Sequence, residues 1–250
     1  MNRGHSALSI GRRLTHIFPP IVSMKTLLSF LLLFAATVSL HADSAGDRAR
    51  FITRMETCEA ILREFQANPN LAIPSDVLRG AKALVITNQI KGGLILGLQE
   101  GYGTILVKKS NGQWSIPVVV RAGEASVGLQ LGGSRIENVY VIMSEATPRQ
   151  LFEGRFNIGV DAAAVAGPRV ADAEKSNREL LSVPVLVYSN QKGYFAGATV
   201  KSGYITRSDA INRAFYALDY DLPELLYGNF VNPIPADVKP LMDYVTELTQ

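Results

Sequence analysis

The sequence predicts an α+β domain: a mainly antiparallel, glycine-rich sheet, coiled or barrel-like, with helices on its N- and C-terminal flanks. Three observations carry this. Helical periodicity is confined to the two ends of the chain, from Gly46 to Ala67 and again after Ser208. Between Ala83 and Thr206 the chain breaks into short runs rich in Val, Ile and aromatics. Glycines fall inside those runs as well as between them, where they allow bulges, sharp coiling and close backbone approach.

Taken in order, residues 1–42 contain Arg3, Arg12, Arg13 and Lys25, no acidic residue, and an apolar run from Leu27 to Leu40. A run of about 14 residues is short of the roughly 20 that span a bilayer, so the segment reads as a cleaved secretory signal with an extended basic n-region. Met1 and Met24 both remain open as the start. The leader also holds all three histidines (His5, His16, His41), so the remaining chain has no imidazole for a triad, for zinc or for acid–base chemistry. Without the leader the formal charge falls from +3 to −1, which removes the case for a nucleic-acid partner made by a pI near 9.0. What remains is an asymmetry. Residues 79–207 carry 15 basic and 9 acidic side chains, whereas residues 208–250 carry 2 and 7.

From Gly46 to Ala67, Phe51, Met55, Cys58, Leu62 and Phe65 fall on one helical stripe, and Asn68-Pro69 ends it. The opposite face mixes Arg48, Arg50, Arg54 and Arg63 with Asp47, Glu56, Glu59 and Glu64. Cys58, the single cysteine, lies in the apolar stripe and reads as core. Ile73-Pro74-Ser75-Asp76 opens a short second helix. Strands are expected near 83–90, 94–99, 103–109, 114–120, 124–131, 137–143, 155–166, 184–189, 194–200 and 203–206, interrupted by a helix at Thr147-Pro148-Arg149-Gln150. Two hairpins are expected. Asn111-Gly112 suits a two-residue turn with positive φ twice, which pairs Lys109 with Trp114, Val107 with Ile116 and Ile105 with Val118. Asn190-Gln191-Lys192-Gly193 forms the second tip. Helices return after Ser208-Asp209 and after Pro235. The expected organisation is therefore a leader, 1–42, and one domain, 43–250, made of N-terminal helices (43–78), a β body (79–207) and an acidic helical tail (208–250).

The glycines do not form a phosphate cradle. Gly101-Tyr102-Gly103 supplies half of a dinucleotide fingerprint, but the third position is Leu106, and no G-x-x-x-x-G-K-[ST] string occurs. No catalytic residue, metal ligand or cofactor is assigned. Asp219-Tyr220-Asp221-Leu222-Pro223 offers a carboxylate pair suited to a hard cation, but it reads first as a turn and helix start.

Several segments together resemble the SYLF domain, a lipid- and actin-binding module. They are Ile73 to Lys82, Lys91-Gly92-Gly93, Gly101 to Gly103, Gly112 to Pro117, Ala166-Gly167-Pro168 with Ala173-Glu174, Val187-Tyr188-Ser189 and Gly193 to Gly197. The resemblance runs from about residue 50 to 216. It implies binding to phosphoinositide or other anionic phospholipid and, in the eukaryotic adaptors, to actin. The residues expected to carry lipid binding are Lys108, Lys109 and Trp114 at the first hairpin, Lys192 and Tyr194 at the second, and Arg48, Arg50 and Arg54 on the first helix, all setting cations beside aromatics or on an amphipathic face. The leading expectation is a non-enzymatic, exported module, periplasmic or secreted and peripheral at a membrane. The alternatives are an envelope assembly protein with a protein partner and an actin-binding-type module. N-terminal sequencing of the protein from its host should find a start near Asp43; soluble protein beginning at Met1 or Met24 would refute export.

Overall fold

The computed structural model describes residues 24–92, 96–127, 134–150, 155–158, 161, 163–167, 182–192 and 203–250. The chain divides into two compact units, 1–42 and 43–250; helix α1 (Met24–Ala67) begins in the first, and the second holds the rest of the fold. After α1 come α2 (Ser75–Gly80), strands β1 (Ala83–Gly92), β2 (Leu96–Val107), β3 (Val118–Val127) and β4 (Ser134–Ile142), then α3 (Ala146–Gln150). Strands β5 (Phe156–Asn157), β6 (Ala164–Ala166), β7 (Val185–Lys192) and β8 (Tyr204–Arg207) follow, with α4 (Asp209–Tyr216), α5 (Leu222–Tyr227), a 3-10 turn (Ala236–Val238) and α6 (Lys239–Leu248) in the tail. The strands form one sheet in the order β5-β8-β3-β2-β1-β4-β7-β6, curled into a half-barrel and antiparallel except where β6 runs parallel to β7. The predicted fold class is the observed one.

Two corrections come from strand length. The expected strands 94–99 and 103–109 are one strand, β2, and 114–120 with 124–131 are largely one strand, β3. Gly101 falls in the gap expected between the first two, and Gly103 opens the second. Their pairing with Gln89 and Thr87 is continuous, and a methyl group at either would collide with the β1 backbone at Asn88 or Ile86. These glycines let two coiled strands approach closely. Gly123 does a related job, lying under the ring of Tyr204, its partner on β8. The second correction is that Asn190, Gln191 and Lys192 are not a turn. They pair with Glu137, Ile136 and Arg135 on β4, and the expected return strand 194–200 lies outside the described residues.

The α1 stripe is buried as its spacing predicts: Phe51, Met55, Cys58, Leu62 and Phe65 are all at most 1% exposed. Cys58 Sγ donates to the Ile86 carbonyl of β1 at 3.7 Å, and Thr104 of β2 donates to Met55 Sδ at 3.6 Å, which fixes α1 across these two strands. Burial pushes the thiol pKa up to about 12, so Cys58 is a core atom and no nucleophile.

Helix α4 docks on the other side of the α1 stripe. Phe51 stacks on Phe215 with ring centroids 3.8 Å apart and meets Tyr216 edge-on at 5.3 Å. Buried Asn212 then treats β3 as a neighbouring strand would: its carboxamide accepts from Val119 N–H at 2.8 Å and donates to Val119 C=O at 2.9 Å. Val119 lies just beyond the stretch of β3 that β8 pairs, Val120 to Gly123, so one side chain completes the ladder there. Asn212→Ala strands a buried N–H and C=O together and should lower unfolding free energy by about 2–4 kcal/mol. A urea midpoint equal to that of the parent protein would refute this role.

Candidate functional site

The first hairpin turns at Lys109–Gly112. Gly112 N–H donates to Lys109 C=O at 2.9 Å, and only Gly112 takes positive φ, at 81°. With one such residue instead of two, Trp114 falls opposite Lys108 rather than Lys109. The Ile105–Val118 pairing holds as expected, and the mismatch is absorbed between them. Pro117 has no N–H to give the ladder, and Ser115 Oγ, rather than a carbonyl, accepts from Val107 N–H at 3.0 Å.

This shift changes what the hairpin presents. The exposed tip is Ser110 to Gln113. Trp114 is 7% exposed, and its indole N–H donates to Thr249 Oγ1 at 2.8 Å, at the end of α6. Lys109 reaches the same tail: its ammonium donates to Gly228 C=O at 2.8 Å and to Asn229 Oδ1 at 2.7 Å, and burial lowers its pKa. Lys108 Nζ stands 5.9 Å from the Trp114 ring centroid. Trp114 and Lys109 thus clasp the C-terminal tail, which corrects the expectation that they stand at an outward-facing tip. Lys192 is a β7 residue opposite Arg135 and not a tip residue, and Tyr194 lies outside the described residues.

The three α1 arginines divide. Arg48 is structural: it donates to Phe215 C=O at 3.1 Å, pairs with Asp237 at 3.3 Å and lies 4.6 Å above the Phe215 ring. Arg50 is largely exposed and pairs with Asp47 at 2.9 Å. Arg54 stacks on Tyr102 of β2 at 4.8 Å, and its pKa is lowered, first by burial and further by the like charges of Arg50 and Arg121. Arg121 of β3 is exposed and is the register partner of Tyr102. Arg54 and Arg121 therefore flank one aromatic ring, with Arg50, one turn earlier on α1, near enough for its charge to act on Arg54. Next along β1 stands Ile90, 63% exposed and opposite Arg135. Sequence reasoning missed Arg121. Its signal was register: read as unbroken strands, β2 and β3 put Arg121 beside Tyr102.

The acidic tail pairs with Arg207 at the end of the β body and with its own Arg213. Asp221 pairs with Arg207 at 2.9 Å, Asp219 with Arg213 at 3.0 Å, and Arg207 also with Asp209 at 3.1 Å. Asp221 opens α5, and its N–H donates to Glu224 at 2.9 Å. The carboxylate pair is thus occupied by guanidinium groups, and among the described residues no group of three His, Cys, Asp or Glu side chains could hold a metal ion. Nor, among them, is any helix long and apolar enough to cross a membrane.

A curled half-barrel, clad by an N-terminal helix and a C-terminal helical tail, with cations stacked on aromatic rings, defines an α+β domain. The family model of Ysc84, the Las17-binding protein actin regulator, matches residues 123–248, and the chain belongs to this family, also called SYLF. Similar proteins include LAS seventeen-binding protein 3 of Saccharomyces cerevisiae, 31% identical over 172 residues, or 68% of this chain and 37% of that protein. The SH3 domain-containing protein PJ696.02 of Schizosaccharomyces pombe is 31% identical over 168 residues, covering 66% and 39%. Human SH3 domain-containing YSC84-like protein 1 is 26% identical over 195 residues, covering 75% and 57%. The chain thus spans from about a third to just over half the length of these relatives. No solved structure matches.

The division among the arginines is measurable. Arg48→Ala removes a charge-assisted hydrogen bond and a ring contact and should cost about 1–2 kcal/mol in urea denaturation. Arg50→Ala removes a surface i,i+3 pair and should cost about 0.5 kcal/mol or less. Equal losses would show that Arg48 does not pin the tail.

Proposed function

We propose that this chain is a non-catalytic, exported module that attaches peripherally to anionic phospholipid surfaces. The observation that carries the reading is the convergence of Arg54 and Arg121 on Tyr102, with Arg50 and its partner Asp47 one to two turns earlier on α1 and exposed Ile90 beside Arg135 on the same sheet. Like charges raise one another's energy, and an anionic surface relieves that repulsion. Guanidinium groups suit phosphate, which they bind through paired N–H donors. An exposed isoleucine gains by leaving water at the headgroup boundary, and a tyrosine ring is at home there. The basic leader with its short apolar run supports export, and residues 43–250 are the part that would act outside the cytoplasm.

This face replaces the hairpin as the attachment surface, because Lys109 and Trp114 are committed to the tail. A protein partner is the second reading, favoured by the family description as a Las17-binding actin regulator. Co-pelleting with filamentous actin in the absence of lipid would favour it.

Each cation near an anionic membrane contributes about 1 kcal/mol, so Arg50→Gln, Arg54→Gln and Arg121→Gln combined should weaken co-sedimentation with anionic vesicles by roughly 100-fold. Wild-type binding should fall steeply with salt and be absent on neutral vesicles. A folded triple variant that sediments as the parent does would sink the assignment to this face; a parent that ignores anionic vesicles at low salt would sink lipid binding itself.

A further inference from the structure

A cavity of about 250 Å3 lies between the first hairpin and the C-terminal tail. Trp114 and Ile116 line it from the hairpin side, Leu225 from α5 and Met242 from α6. Only three large apolar side chains among the described residues are exposed: Ile90, Phe230 and Ile234. Ile234, 37% exposed, is part of its lining, whereas Phe230 stacks on Tyr220 with ring centroids 4.3 Å apart. A concave site that combines apolar side chains with a few polar groups is the usual form of a small-ligand site.

The polar side of the cavity is formed by Gln113, Asn229, Asn232 and the Lys109 ammonium. An ammonium has three N–H donors. Two go to neutral oxygens, Gly228 C=O at 2.8 Å and Asn229 Oδ1 at 2.7 Å, and no carboxylate among the described residues pairs with it. A half-buried positive charge therefore borders a hollow of mixed polar and apolar lining with one donor uncommitted and no paired carboxylate. An anion is the group that completes it. A single ammonium without a guanidinium fork matches a monoanion better than a phosphate dianion. The volume exceeds the roughly 150 Å3 that holds benzene and falls below the roughly 300 Å3 where drug-sized sites begin. One ring or a branched alkyl group is the body that fits.

We propose that this cavity is a binding site for a small monocarboxylate with a single aromatic or branched alkyl body, its carboxylate on Lys109 and its apolar body against Trp114, Ile116, Leu225 and Met242. The site goes beyond the lipid reading and shares no residue with the arginine face, so either can fail alone.

Trp114 is the only tryptophan in the chain, so its emission reports from inside the site. The full chain is titrated with 3-phenylpropanoate and, separately, with the neutral 3-phenylpropanamide. The expected result is a saturable change in emission with the acid and at least tenfold weaker binding of the amide, since an ionic hydrogen bond of this type is commonly a factor of ten or more. Lys109→Met should bring the acid down to the amide's affinity. Because Lys109 also holds the tail, a second variant guards the test: Ile234→Asp changes a partly exposed residue at the rim, should leave circular dichroism unaltered, and should weaken the acid at least tenfold by like-charge repulsion. No saturable change up to about 10 mM acid would overturn the proposal. So would equal affinity for acid and amide, or undiminished acid binding in folded Ile234→Asp.

Discussion

Phe51 holds the two ends of the domain together. It is fully buried, stacks on Phe215 at 3.8 Å and meets Tyr216 edge-on, so α1 and α4 share one aromatic centre. The rest follows from that contact. Tyr216 donates to Pro117 C=O at 2.6 Å, and Asn212, one turn earlier on α4, completes the ladder at Val119, so the same helix seals the entry into β3. Arg48 lies over Phe215 and reaches Asp237, carrying the connection to the start of the last helix. A curled sheet with free ends has to be covered; here the covering elements grip each other as well as the strands.

The second organising feature is where the charge goes. Arg48, Arg54, Arg63, Arg149 and Arg155 all lie over aromatic rings, and Lys108 faces Trp114. Arg207 and Arg213 take the carboxylates of the tail. Of the β-body cations, Lys108, Arg149 and Arg155 meet aromatic rings, Lys109 holds oxygens of the tail and Arg207 takes tail carboxylates, so part of the asymmetry is met within the chain. The arginine face at Tyr102 and the ammonium of Lys109 are two places among the described residues that can still take an anion. Tyr102 and Lys109 are seven residues apart in sequence, roughly 24 Å along an extended strand, so these are separate sites.

The stripe from Phe51 to Phe65, the helix starts at Ser75, Asp209 and Pro235, and the β character of residues 83 to 207 were legible because each is local: it depends on a periodicity of 3.6 or 2 and on caps within a few residues. The glycine habit was legible as scaffold for the same reason. Strand continuity was not. Gly101 and Gly103 look like breaks until a neighbouring strand needs the space of their missing side chains, and Asn190 to Lys192 look like a turn until β4 pairs with them.

The sequence by itself determined the fold class, the buried face of the first helix, the family resemblance and the absence of histidine from residues 43–250, since all of these reside in composition and short-range pattern. Only the tertiary structure decided which cations are available. Arg48, Arg50 and Arg54 all read from the sequence as cations of a mixed polar surface, yet one is pinned to Phe215, one pairs with Asp47 at the surface and one is stacked on Tyr102 beside Arg121. Lys109 and Trp114 resemble an exposed hairpin tip until the tail, more than a hundred residues later, folds over them. Whether a charge is spent or free depends on the groups that surround it in space, and those come from parts of the chain that no local pattern connects.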